Sequence, residues 1–242
     1  MADFVNTIDL LGDEATFKAI VERTITEYKD NVIESIKNHA FYDCSALNDI
    51  DLPNVAIVGE NAFYECSALK SIDLPNAESL GDQAFYTCSA LESVSFPKVT
   101  SLGSGVFSKC TALTSGYFPN VISVSNHFAS CTALTIVDFP KAKNIIGSSA
   151  FGSCENLKYV VLRNNSLCTL SNTYAFYGTP FFTNGTGGKS IVPRSLITSY
   201  RTASNWSALY AAGTCTFLAL EDYTVDGTLT GAIDWDKVNA LA

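Results

Sequence analysis

Histidine is nearly missing from this chain of 242 residues, which holds only His39 and His127, and basic residues are few, 15 Lys and Arg against 24 Asp and Glu. Two histidines leave little material for a nucleophile with an adjacent base. No Gly-rich phosphate loop, H-E-x-x-H or C-x-x-C pattern stands in for them, so no catalysis is expected. A net charge of -9 with scattered cations opposes the basic footprint that nucleic acid or an anionic membrane requires, and both are excluded as partners. Long apolar runs are also lacking. The longest are a few residues, against about 20 for a helix that crosses a bilayer, so no membrane insertion is expected. The N-terminal stretch "MADFVNTIDLLGDEATF" has acids where a secretion leader has a basic region, and no signal peptide is read there.

What is present is apolar and regular. At 47% hydrophobic the chain is far from a disordered composition and long enough for one large domain or two small ones. A unit first seen as "FYDCSALNDIDLP" at Phe41 to Pro53 recurs along the chain. Phe41, Phe63, Phe85, Phe107, Phe128 and Phe151 are 22, 22, 22, 21 and 23 residues apart. Cys44, Cys66, Cys88, Cys110, Cys131 and Cys154 keep the same intervals, with a leucine three residues after each. Pro53, Pro75, Pro97, Pro119 and Pro140 close the unit, and Arg163 takes that place in the sixth.

Such a period, with an L-x-x-I-x-L core, is the pattern of a leucine-rich solenoid, whose coils bury their apolar faces only by stacking on one another. In "LKSIDLP" the pattern points Leu69, Ile72 and Leu74 inward and Ser71 and Asp73 outward along a strand, which the proline ends. Leu80, Gly81 and Phe85 then mark a second extended piece, a turn and a short helical or 3₁₀ turn. The fold class is therefore a right-handed leucine-rich repeat solenoid of about seven or eight coils, made of short strands and helical turns with helical caps. The expected divisions are an N-terminal cap over 1–32, the solenoid over 33–182, a last strand and capping helix over 183–221, and a tail over 222–242.

The form "IG..AF..C..L..I.LP" resembles the BspA-like subfamily of bacterial leucine-rich repeats from about Ile33 to Leu162, with "YAFYGTP" at Tyr174 to Pro180 as a degenerate seventh coil. "IVPRSLITSYRTASNW" is similar to the ending of gut-bacterial and prophage members. The resemblance implies a surface-exposed adhesion or interaction protein, placed outside the cell, on its surface or on a virion. It supplies no ligand, cofactor or catalytic residue.

The recurring cysteine has three readings: a disulfide ladder, a metal array or core. Coils stacked at about 4.8 Å put the cysteines in a straight file with parallel side chains. A disulfide needs converging Cβ atoms about 3.8 Å apart, and zinc needs sulfurs gathered at about 2.3 Å around one centre. The file suits neither, and cysteine is read as a small buried hydrophobe beside the phenylalanines. Cys168 and Cys215 stand outside the file, with a bond between them or a reactive thiol left open. Tyr42, Tyr64 and Tyr86 are expected to form a partly exposed stack on the convex side.

At the ends, Asp13 to Arg23 reads as a helix with Phe17, Ile20 and Val21 on one face, before a strand near Thr24 to Tyr28. "KSIVP" reads as the last strand. A helix from Pro193 or Arg194 to about Ala211 would set Leu196, Ile197, Tyr200, Trp206 and Leu209 against the final coil. "TNGTGGK" at Thr183 to Lys189 reads as a loop, and Asp226-Gly227 as a hairpin signal in a tail that attaches to a partner or lies against the cap.

The fifth coil is one residue short and carries His127 where other coils have Ala or Val, and Gly116 replaces an inward Ile or Val, leaving a void or a place for a neighbour to fill. The outward strand residues change from acidic (Asp49, Asp51, Asp73) to apolar and aromatic (Tyr117, Ile136, Tyr159, Val161). The latter four are the candidate contact patch of the concave sheet for a protein or glycan ligand, including a host-derived one. The alternative is that the C-terminal loops or tail fold over them. Asp49, Asp51 and Asp73 are a weak calcium candidate against a solvated acidic face. The expected function is a binding or adhesion module. Its rival is a structural spacer, or component of a phage particle or cell-surface assembly.

Overall fold

The computed structural model describes residues 22–182 and 187–240, which form a solenoid of about seven turns built on parallel strands. The strands fall in two files, the main one interrupted at the coil of Ser71 to Asp73, which contributes only an isolated bridge from Asp73 to Asp51. The main file is β1 (Glu27–Lys29), β3 (Asp49–Asp51), β6 (Ser93–Ser95), β8 (Ser115–Tyr117), β10 (Ile136–Asp138), β12 (Tyr159–Val161), β14 (Gly188–Val192) and β15 (Cys215–Ala219). The second is β2 (Ser35–Ile36), β4 (Ile57–Val58), β5 (Ser79–Leu80), β7 (Ser101–Leu102), β9 (Ser123–Val124), β11 (Asn144–Ile145) and β13 (Thr169–Leu170). All strand pairs in these files are parallel, as they must be when every coil repeats the same path.

The consensus residues meet as files. The rings of Phe41, Phe63, Phe85, Phe107, Phe128, Phe151 and Phe176 stack with centroids 5.1 to 5.7 Å apart, all essentially buried. Five of the cysteine thiols reach back one coil. Cys66, Cys88, Cys110, Cys131 and Cys154 donate from Sγ to the carbonyls of Phe41, Phe63, Phe85, Phe107 and Phe128 at 2.9 to 3.1 Å. The cysteine is thus core, and it also gives the phenylalanine carbonyl a second donor beside the cysteine's own coil, whose N–H donates locally, as Cys66 does to Phe63. All eight cysteines are free and buried. Burial pushes the Cys44, Cys168 and Cys215 thiols up to about 12, so none is a thiolate at neutral pH.

Tyr42, Tyr64 and Tyr86 stack at 4.8 and 5.0 Å, half-exposed as their position beside the phenylalanines predicts. The short fifth coil shows as a break in the second file, where β7 and β9 do not pair. His127 spans the break. Its ring Nδ1–H donates to the Gly103 carbonyl at 2.8 Å, and burial lowers its basicity. Gly116 leaves no void, because the Phe118 ring occupies the space: a Cβ on Gly116 would sit 2.7 Å from Phe118 Cε2.

The expected helix over Asp13 to Arg23 falls almost wholly outside the described residues. The C-terminal end differs from expectation in two respects. The single C-terminal helix is instead a 3₁₀ turn at Arg194–Leu196 followed by α1 (Ile197–Thr202) and α2 (Trp206–Ala211), because Ala203 is extended and Asn205 has φ 64°. The contacts it was expected to make are present: Trp206 and Tyr200 are fully buried, Trp206 Nε1 donates to the Cys168 carbonyl at 2.7 Å, and the Cys168 N–H donates to Tyr200 Oη at 2.9 Å. The cap so satisfies both backbone groups of Cys168, which has no following coil to pair with. Second, "KSIVP" is not the last strand: β14 begins at Gly188, taking Gly188 and Lys189 out of the expected loop, and β15 pairs beyond it.

Candidate functional site

Along the main file the outward residues form two rows. One runs Glu27, Asp49, Ser71, Ser93, Ser115, Ile136, Tyr159, Lys189; the other runs Lys29, Asp51, Asp73, Ser95, Tyr117, Asp138, Val161, Ile191. Alternation along each strand turns the intervening Ile50, Ile72, Val94, Val137 and Val160 into the core, where all are buried.

Four regions follow from this. The acidic end exposes Asp49, Asp51 and Asp73, with Lys29 Nζ on Asp49 at 2.8 Å. Among the described residues no three His, Cys, Asp or Glu side chains are gathered to hold a metal, so the calcium candidate has no geometric support. Next comes a floor of exposed hydroxyls, Ser71, Ser93 and Ser95, with Ser115 half-buried. Third is Tyr117, 43% exposed, beside half-buried Ile136. The fourth region is covered.

Here the expectation of an open patch is corrected. Tyr159 and Val161 are 5% and 0% exposed, packed with Ile191, Leu220, Ile233 and Val238. The cause is the C-terminal segment. It leaves a 3₁₀ turn at Leu220–Tyr223, makes an antiparallel bridge between Thr224 and Ile233 and ends in α3 (Trp235–Asn239), laying Ile233 and Val238 on the sheet. Apolar outward residues on β12 and β14 supply the hydrophobic reason.

Arg163 holds this segment in place. Its Nη1 donates to the Gly231 carbonyl at 2.6 Å, and its Nη2 and Nε donate to the Asp138 carboxylate at 2.6 and 3.1 Å. Both side chains are largely buried, and the bidentate geometry suits a fixed guanidinium. Burial pushes the Asp138 carboxyl up from its ordinary range, against the downward pull of Arg163. Tyr159 Oη also donates to the Val238 carbonyl at 3.2 Å.

The result is a groove of about 680 Å³, within the range of small-ligand clefts, about 300–1,000 Å³. Its floor is Ser71, Ser93, Ser95 and Ser115, its aromatic side Tyr117 and Ile136, and its end wall Thr230 to Ile233 with Asp138 and Arg163 behind. Tyr117 and Ile136 of the expected patch line the groove, while Tyr159 and Val161 lie beneath the wall. A C-terminal tail folded over the patch is the alternative the sequence left open, whereas the serines and the Arg163–Asp138 pair went unanticipated as site residues. Their one sequence signal is Arg163 itself, standing where five coils have proline.

Comparison with known proteins places the repeats. The model of the BspA type leucine-rich repeat region matches six copies, over residues 14–127 and 124–191. A leucine-rich repeat protein from Bacteroides ovatus is 22% identical with a TM-score of 0.56, covering 81% of this chain and 54% of its own. The Treponema pallidum leucine-rich repeat protein is 22% identical with a TM-score of 0.51, covering 80% of this chain and 86% of its own. The pneumococcal vaccine antigen PcpA is 16% identical with a TM-score of 0.50, covering 81% of this chain and 41% of its own. The chain thus spans about half or less of two of these three. Comparison with curated proteins gives no match.

Proposed function

The chain belongs to the BspA-type leucine-rich repeat family, and on that premise we propose that it is a non-catalytic binding or adhesion module. It recognises a protein or glycan through the exposed outward face of the main sheet, at a cell surface, outside the cell or on a virion. The observation that carries this reading is the groove: an open, hydroxyl-floored strand face with an exposed tyrosine at its centre and a wall built by the chain's own C-terminus. An exposed aromatic beside half-buried aliphatic surface is the composition of a contact core, and the surrounding serines and acids are that of a rim. The description of one structural relative as an antigen agrees with a surface setting.

The test is capture from an array of glycans and extracellular-matrix proteins, comparing the native chain with Tyr117→Ser and with Ser95→Arg, which fills the floor. Capture by the native chain, lost by at least 10-fold in both variants at unchanged circular dichroism, supports the groove. Capture that neither variant weakens places recognition elsewhere. Silence throughout favours a spacer role within a particle or surface assembly.

A further inference from the structure

The C-terminal segment differs from every coil in how it is attached. Each coil exchanges main-chain hydrogen bonds with its neighbours, from the strand ladders to the turn bonds such as Phe63 N–H to the Ala84 carbonyl. Among the described residues, the segment from Tyr223 to Ala240 exchanges none with the sheet it covers. Its own backbone bonds are local: Val225 N–H to the Ala232 carbonyl, Asp234 N–H to the Tyr223 carbonyl, Val238 N–H to the Asp234 carbonyl. Among the described residues it receives two side-chain hydrogen-bond donors from the solenoid, Arg163 on Gly231 and Tyr159 on Val238, and a few apolar contacts. Within it, buried Thr224 Oγ1 has no hydrogen-bond partner among the described residues. The chain immediately before it is pinned, with the Arg194 side chain on Asp222 and the Arg194 N–H on Glu221.

A unit with local bonds, a five-residue helix and two polar locks can leave without breaking any rung of the solenoid. Its departure would bare Ile136, Tyr159, Val161, Ile191 and Leu218, an apolar field continuous with Tyr117, and remove the wall that ends the groove. We propose that residues 223–240 are a removable strap that occupies the strand face as a built-in ligand, and that the site beneath takes an amphipathic peptide. Such a peptide offers apolar side chains to Tyr159, Val161 and Ile191 and a backbone carbonyl to Arg163. Asp138 is what keeps Arg163 aimed when the strap is gone, since the pair does not depend on Gly231. This rests on the reading that the strand face is the binding surface, and it lengthens that surface across β12 to β15.

The test uses the full chain. Hydrogen exchange should find the amides of Val225, Gly231, Asp234 and Val238 exchanging about 100-fold faster than those of the coils, the mark of sub-global opening. A labelled synthetic peptide of residues 223–242 should bind the Ile233→Asp, Val238→Asp double variant, whose strap is weakened, and not the native chain. Adding Arg163→Met should lose that binding. Strap amides that exchange as slowly as the coils overturn the proposal, making the segment a fixed cap. So does failure of the folded double variant to capture the peptide. Neither readout needs an outside partner, so silence of the glycan and matrix array bears only on the proposed function.

Discussion

Before each of the six repeat cysteines stands a residue in the left-handed region: Asp43, Glu65, Thr87, Lys109, Ser130 and Ser153, with φ from 56° to 62°. None is glycine, though an L-residue there costs about 1–2 kcal/mol. Thr87 is the worst suited, because its branched Cβ crowds the carbonyl. Thr87→Asn should raise unfolding stability by about 1 kcal/mol, since asparagine tolerates that region and the Thr87 N–H keeps its bond to the Ser108 carbonyl; an unmoved urea midpoint would show that no strain is stored there. His127 makes the second residue-scale prediction. Burial holds its basicity below the ordinary value of 6.5. Below about pH 6.5 the unfolded chain takes up a proton that the folded chain refuses, so this group's contribution is full above that pH and is lost progressively as pH falls toward the folded value. In denaturant titrations between pH 8 and 5, His127→Ala should be less stable at pH 8 yet show a flatter decline on acidification.

Within a single coil, Gly116 and Phe118 are one packing decision made at two positions. Gly116→Val restores the residue type of the other coils but drives a side chain into the Phe118 ring, and should destabilise by about 1–3 kcal/mol. Combined with Phe118→Leu, the residue at the matching place in the first coil, most of that loss should return, and a double-mutant cycle measures the coupling. Additive losses would mean the two do not share the space. The same pair shows what sequence makes legible. Strand, turn and core file were readable because six registers repeat with a period that physics ties to stacking. Gly116 alone breaks that period, and the pattern leaves open a void or a filling neighbour without saying that Phe118 is the one that fills it. The strap was legible only as an alternative, a tail folded over the patch, without its residues. Its lock is a carbonyl of Gly231 met by Arg163 across 68 residues, and a backbone acceptor leaves no trace in side-chain pattern. The C-terminal helix failed for a local reason, since Ser204 and Asn205 sit inside an apolar spacing that continues on both sides of the kink.

Taken whole, the molecule is a one-dimensional stack, and its length is an adjustable quantity. Excising residues 64–85, one complete period, joins Phe63 to Tyr86 and leaves the phenylalanine, cysteine and leucine files in register. The shortened chain should fold cooperatively, with a lower denaturant m-value in proportion to the surface lost. Excising 64–74, half a period, sets core residues on the outer face, and circular dichroism with urea unfolding should show no native-like transition. A shortened chain of one period that fails to fold would refute nearest-neighbour stacking as the source of stability. The thiol file has a consequence at this scale as well. Eight cysteines take part in the core without a single covalent cross-link, so assembly has no pairing step to get wrong and no bridge for a reductant to cut. The finished stack is chemically the same object in glutathione as in air.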